Sequence, residues 1–296
     1  MSFQPCGIIP AMATPLNAEG ELNEGALRQL TRHLIQGGVH GLFATGSQGE
    51  FWALTPEEKQ RVWEIVLEEV DGRVPVYAGT GAVTTREVME LNRRAEAAGV
   101  DAVSIITPFF VKPTEAELEA HYRAIAKATS LPVLLYNNPA RTGGVNLSAG
   151  LVARLAEVED IVGIKDSSGD LALTTEYIRL TPDGFVVLSG RDTLIFAGLV
   201  HGTKGAIAAT ANVVPALVVE IYEAFQAGEL ERARRAQERL APLRVAFGLG
   251  SFPVVVKEAL ELIGIPAGPC RGPVGPLSPE KRAELRQVLL GMGLSV

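Results

Sequence analysis

The chain's 296 residues suit one large α/β barrel or two ordinary domains, and are enough to bury a sizeable core. Its 47% hydrophobic and 21% charged residues are those of an ordinary soluble globular protein. A formal net charge of -7 argues against nucleic acid, which rewards clustered Lys and Arg, but leaves room for an anionic small substrate held by one or two cations.

In chain order, short runs rich in Val, Ile and Ala recur at residues 7–12, 41–45, 74–79, 102–107, 132–136, 161–165, 185–189 and 205–208. Each is too short and too continuously apolar for an amphipathic helix, and each fits a strand buried on both faces. Between the second and third runs, Thr55-Pro56-Glu57-Glu58 opens a long amphipathic stretch to Glu69. It reads as a capping box with Pro at the first helical position. Residues 84–98, 115–128, 148–156 and 193–200 follow the same helical logic, with Gly99, Gly143 and Gly202 where the chain must turn. Eight strands alternating with helices predict a closed (β/α)8 TIM barrel over residues 1–215. A doubly wound sheet is the competitor, but no glycine-rich fingerprint follows the first run, and Gly79-Thr80-Gly81 is a lone Gly-x-Gly. After Pro215 only helical patterns remain, at residues 216–227, 229–246, 253–264 and 278–292, with a Gly/Pro-rich connector at 265–277. Residues 216–296 therefore read as a C-terminal helical extension packed on the barrel or on a neighbouring subunit.

Cys6 and Cys270 read as reduced thiols. The first residues lack the basic stretch and apolar run of a signal peptide, and no run approaches the ~18 apolar residues of a membrane span. The expectation is a cytoplasmic protein with no membrane and no nucleic-acid partner.

In a barrel of this kind the chemistry sits at the carboxyl ends of the strands. Lys165 ends the apolar run Ile161-Val162-Gly163-Ile164. An apolar floor favours the neutral amine, which is what a lysine nucleophile needs. The bland reading is a strand-end lysine paired with Asp166 or Asp170. Tyr136 ends the preceding strand and could shuttle protons, or be a core tyrosine with its hydroxyl at the rim. Arg141 could grip a carboxylate in bidentate fashion, or be an ordinary loop arginine. Gly46-Ser47-Gln48-Gly49-Glu50 could hold an anion through hydroxyl and backbone N–H groups. The four histidines are scattered, none in a metal-ligand spacing, and neither a Gly-x-Ser-x-Gly elbow nor a phosphate loop occurs, so no metal is expected.

Several motifs stand in order at these strand ends: Gly46-Ser47-Gln48-Gly49-Glu50, Tyr136-Asn137-Asn138-Pro139 with Arg141-Thr142-Gly143, Gly163-Ile164-Lys165-Asp166, and Ser189-Gly190 followed by Gly205-Ala206-Ile207. Together they resemble the dihydrodipicolinate synthase / N-acetylneuraminate lyase family of pyruvate-dependent class I aldolases, over essentially the whole chain. The resemblance implies Lys165 as the Schiff-base lysine and Tyr136 as the proton relay. It implies Ser47 and Gln48 as contacts to the tyrosine and the pyruvate carboxylate, Gly190 and Ile207 as backbone lining, and Arg141 as receiver of a second carboxylate. It implies no cofactor beyond the imine at Lys165, a 2-oxo acid such as pyruvate plus an aldehyde as substrates, and a homotetramer. Two departures stand out. Gln48 replaces a threonine, and Phe110 replaces the tyrosine that dihydrodipicolinate synthases lend across the subunit interface beside the substrate. Since a phenyl ring relays no proton, the expectation shifts toward cleavage or dehydration of a sugar-derived 2-oxo acid, of the 2-keto-3-deoxygluconate or 4-hydroxy-2-oxoglutarate type. The alternatives are 4-hydroxy-tetrahydrodipicolinate synthase of lysine biosynthesis and a non-catalytic 2-oxo acid binding protein on the same barrel.

Overall fold

The computed structural model describes residues 3–296. Eight strands, β1 (Gly7–Pro10), β2 (Leu42–Ala44), β3 (Val76–Gly79), β4 (Ala102–Ile106), β5 (Val133–Asn137), β6 (Ile161–Asp166), β7 (Val186–Ser189) and β8 (Gly205–Ala208), form one parallel sheet. β1 pairs with β8 along its length, and a bridge from Ala11 to Phe43 closes the circle between β1 and β2. This is the expected (β/α)8 barrel, and every expected strand is present with its bounds moved by no more than two residues.

Side chains alternate across each strand and sort into two apolar clusters. Ile9, Ala11, Phe43, Tyr77, Leu134, Leu188 and Ile207 fill the barrel interior. Their neighbours Ile8, Leu135, Ile164 and Val187 belong to the larger cluster between strands and helices. Counting in twos from Leu134 reaches Tyr136, and Lys165, next to the outward-facing Ile164, faces inward. The β5–β6 register sets Tyr136 directly beside Lys165.

The helices are α1 (Glu24–Gln36), α2 (Pro56–Val70), α3 (Thr85–Ala98), α4 (Glu115–Lys127), α5 (Ala149–Leu155), α6 (Leu171–Leu180), α7 (Ile195–His201), α8 (Pro215–Gln226), α9 (Leu230–Ala246), α10 (Val254–Leu262) and α11 (Pro279–Gly291). The capping box at Thr55 is formed, with Glu58 bonded back to the Thr55 N–H. Sequence patterning left α1 and α6 undelimited, although Asn23 and Asp170 cap them. Leu240, Leu243, Val255, Leu260, Leu285 and Leu289 of the last three helices join the larger cluster, so the C-terminal helices share one core with the barrel wall. No single helix among the described residues is long and apolar enough to cross a membrane.

Candidate active site

At the carboxyl ends of the strands a cavity of about 490 Å³ is lined by Ser47, Gln48, Tyr136, Arg141, Lys165, Gly190 and Ile207, seven of the eight residues singled out from sequence. Phe110 is the exception. The loop after β4 turns outward there at φ +72°, leaving the Phe110 side chain 96% exposed and off this chain's cavity wall.

Lys165 is 4% exposed. Its Nζ lies 4.2 Å from the Tyr136 ring centroid and 5.0 Å from that of Phe43. The nearby acids are committed elsewhere. Asp166 accepts from Ser168, Thr174 and Asn137, and Asp170 caps α6. Lys165 has no carboxylate partner among the described residues, so the paired-lysine alternative is set aside. Its amine opens only on aromatic faces and the cavity.

The Tyr136 hydroxyl accepts from Asn138 Nδ2 at 2.8 Å. Burial alone would raise its pKa. The Lys165 charge and donors from Ser47, Asn138 and Ser167 outweigh that and hold it below the usual phenol value. Asn138 and Ser167 were not assigned roles from sequence. Their signal was available, since each lies two residues after a site residue and so on the same face at the strand end.

The loop after β2 is strained at both ends. Thr45 and Glu50 bracket it at φ +53° and +56°. A Cβ on Gly46 would come within 2.4 Å of the Phe43 ring, so only glycine lets the loop fold over that floor. The backbone N–H groups of Ser47 and Gln48 have no hydrogen-bond partner among the described residues. Gln48 is 2% exposed, and its Nε2 donates to Pro253 O at 3.3 Å, away from a cavity ligand. Opposite, a Cβ on Gly190 would sit 2.0 Å from Ser167 Oγ, and the Gly190 N–H is bonded to Asp166 O at 2.7 Å.

Residues from the C-terminal helices complete the site, and nothing local in the sequence announces them. The Arg141 guanidinium stacks on Phe252, 4.3 Å from its centroid. Arg244 and Phe247 also line the cavity from this end of the chain, facing Arg191 and Asp192 from the end of β7. Behind the loop after β2, Glu50 Oε1 pairs with Lys257 Nζ at 2.9 Å, both side chains 1% exposed, and Glu50 Oε2 accepts from the Arg271 N–H.

Known proteins bear on this geometry. The model of the Dihydrodipicolinate synthetase family matches residues 4–291. A 4-hydroxy-tetrahydrodipicolinate synthase from Methanopyrus kandleri is 42% identical, covering 99% of this chain and 98% of that one. One from Methanothrix thermoacetophila is 43% identical, covering 97% and 96%. Among solved structures, a dihydrodipicolinate synthase from Thermotoga maritima superposes with a TM-score of 0.95 at 34% identity, covering 98% and 99%. A prophage protein of the same family from E. coli, solved with pyruvate, reaches 0.94 at 36% identity, covering 98% and 99%.

These relatives overturn the expectation of a sugar-acid lyase drawn from Gln48 and Phe110. Gln48 stays on the cavity wall with its Nε2 donated to Pro253 O, and Phe110 lies off this chain's wall, where a residue lent to a neighbouring subunit would stand, so residue type at these two positions does not decide the substrate.

Proposed function

The chain belongs to the dihydrodipicolinate synthetase family, and from that premise we propose that it is a 4-hydroxy-tetrahydrodipicolinate synthase joining pyruvate to an amino aldehyde. The family's chemistry is that of a class I aldolase, with a lysine–pyruvate imine in place of an external cofactor. The product name defines the partner. Its ring and two carboxylates hold seven carbons; taking away the three of pyruvate leaves a four-carbon α-amino acid ending in an aldehyde, aspartate 4-semialdehyde.

The observation that carries the reading is the buried, carboxylate-free Lys165 in register with Tyr136. The Lys165 amine attacks the carbonyl carbon of pyruvate, whose carboxylate rests on the free N–H groups of Ser47 and Gln48. Tyr136 protonates the departing hydroxyl, water leaves and the iminium forms. Loss of a methyl proton gives the enamine, which attacks the aldehyde carbon. The resulting alkoxide takes up a proton, and Arg141 holds the partner's carboxylate. The partner's own amine then attacks the imine carbon and displaces Lys165, closing the ring and restoring the free enzyme. One water is lost overall.

Association of copies is supported by the exposed tip at Phe110 and Val111. A solved relative described as a monomeric dihydrodipicolinate synthase variant, 34% identical, indicates that the fold does not itself demand the homotetramer.

Intact mass spectrometry after incubation with pyruvate and borohydride tests the proposal. A gain of one reduced pyruvate is expected, absent from Lys165→Ala, together with consumption of aspartate 4-semialdehyde by the untreated enzyme. An adduct persisting in Lys165→Ala would refute the assignment.

A further inference from the structure

The cavity carries more positive charge than the reaction above employs. Arg141, Arg191 and Arg244 line it together with Lys165. The one acid on its wall is Asp192, and both carboxylate oxygens already accept from backbone N–H groups, those of Ala209 and Thr210.

α9 supplies the contrast. Its arginines Arg232, Arg234, Arg235 and Arg239 each pair with a glutamate. Arg244, in the last turn of the same helix, pairs with no carboxylate among the described residues. It is half-buried, and its guanidinium lies 4.9 Å from the Phe247 centroid. Arg141 is arranged alike on Phe252, so two guanidiniums rest on aromatic rings of one segment, residues 247–252. Stacking by the flat face leaves the N–H edges free for a planar anion. Arg191 differs, since its Nε is tied to Ser167 O at 2.9 Å. Burial, together with the charges of Arg191 and Arg244, holds the Arg141 guanidinium below its usual range. Cations gathered in one cavity repel one another, and an anion between them relieves the repulsion.

We infer that Arg244 is a second carboxylate ligand for the aldehyde partner, sharing with Arg141 the carboxylate at the cavity mouth. The identity of the partner rests on the function proposed above; the shared grip is this inference's own content. It makes the C-terminal helical region part of the specificity site. A carboxylate held at the mouth directs the far end of a four-carbon chain inward, toward the enamine on Lys165.

The test separates the two ideas. Wild-type, Arg141→Ala, Arg244→Ala, Arg244→Gln and the double alanine variant are loaded with pyruvate and reduced with borohydride, which leaves an inert adduct. Equal adduct formation establishes that each variant is folded with an intact imine site. Succinate semialdehyde, the four-carbon carboxylate aldehyde without the amine, is then titrated calorimetrically. Each single Arg244 variant is expected to bind about 10- to 100-fold more weakly than wild type. The double variant is expected to lose less than the product of the single losses, as for two groups on one carboxylate. Arg239→Ala, a paired surface arginine on the same helix, is expected to bind as wild type does. Wild-type affinity in the Arg244 variants, or no binding by wild type, overturns the inference. Binding that depends on Arg244 in an enzyme that does not turn over aspartate 4-semialdehyde overturns only the synthase reading.

Discussion

Two buried lysines mark two regions of this molecule with opposite fates. Lys257 on α10 is 1% exposed and donates to Glu50 Oε1 at 2.9 Å and to Pro269 O at 2.6 Å. Lys165 on β6 is 4% exposed, lies over the rings of Tyr136 and Phe43 with no carboxylate partner among the described residues, and opens on the cavity. Burial is common to both, so burial does not make a nucleophile. What differs is the partner. A buried charge with a matched counter-charge and a carbonyl is a staple; an amine denied any acceptor is available for chemistry. The staple also serves the site, because Glu50 closes the loop that presents Ser47 and Gln48.

The contrast can be broken most sharply by exchanging the lysines' roles. Lys165→Ala is expected to abolish borohydride-trapped pyruvate and turnover altogether, whereas Lys257→Ala, where folded, retains the trapped adduct; mass spectrometry reads both. Stability is expected to move the other way. Lys257→Met strands the Glu50 carboxylate in the core and should cost about 3–5 kcal/mol in denaturant unfolding. Lys165→Met removes an amine with no acceptor and should leave the melting temperature unchanged or raised. A Lys165→Met protein destabilised as much as Lys257→Met would erase the distinction drawn here.

Smaller effects sharpen the Lys165 side. Tyr136→Phe should lower kcat by about 10²–10³-fold while pyruvate still binds. Because the Tyr136 phenol is held below its usual value, its proton is lost at lower pH than from a free tyrosine. The step in which the phenol protonates the departing hydroxyl should therefore fall away on an alkaline limb below the ordinary phenol pKa of about 10. A pH profile of kcat/KM should show that limb in wild type and lack it in Tyr136→Phe. Least of all, Gln48→Thr trades one amide bond to Pro253 O for a shorter side chain and should shift stability by about 1 kcal/mol or less, measured by urea titration. A collapse of pyruvate binding in that variant would mean that the Gln48 amide does reach the substrate.

Local pattern made much of this legible. Continuous apolar runs of four to six residues announced the strands. Thr55 with Glu58 announced a helix start. The strand-end positions of Tyr136 and Lys165 placed both at the barrel mouth before any coordinates. Helices α1 and α6 were missed although their caps, Asn23 and Asp170, are local; neither has Pro in its first positions or a capping box to sharpen the boundary. The expectation of a sugar-acid lyase failed for another reason. It weighed Gln48 and Phe110 by residue type, whereas relatives 42% and 43% identical over nearly the whole chain are synthases; residue type at two positions does not say what a side chain meets, and Gln48 Nε2 is bonded to Pro253 O.

By itself, then, the sequence determined the barrel, the strand-end lysine and tyrosine, and the glycine-flanked loop after β2, because periodicity, caps and close backbone approach are properties of neighbouring residues. Only the tertiary structure decided which lysine is paired and which is free. Glu50 and Lys257 are 207 residues apart, Gln48 and Pro253 are 205 apart, and Arg141 meets Phe252 from the other end of the chain. Pairing of charges at such separations depends on where folding brings the elements, and no local window of the chain contains both partners.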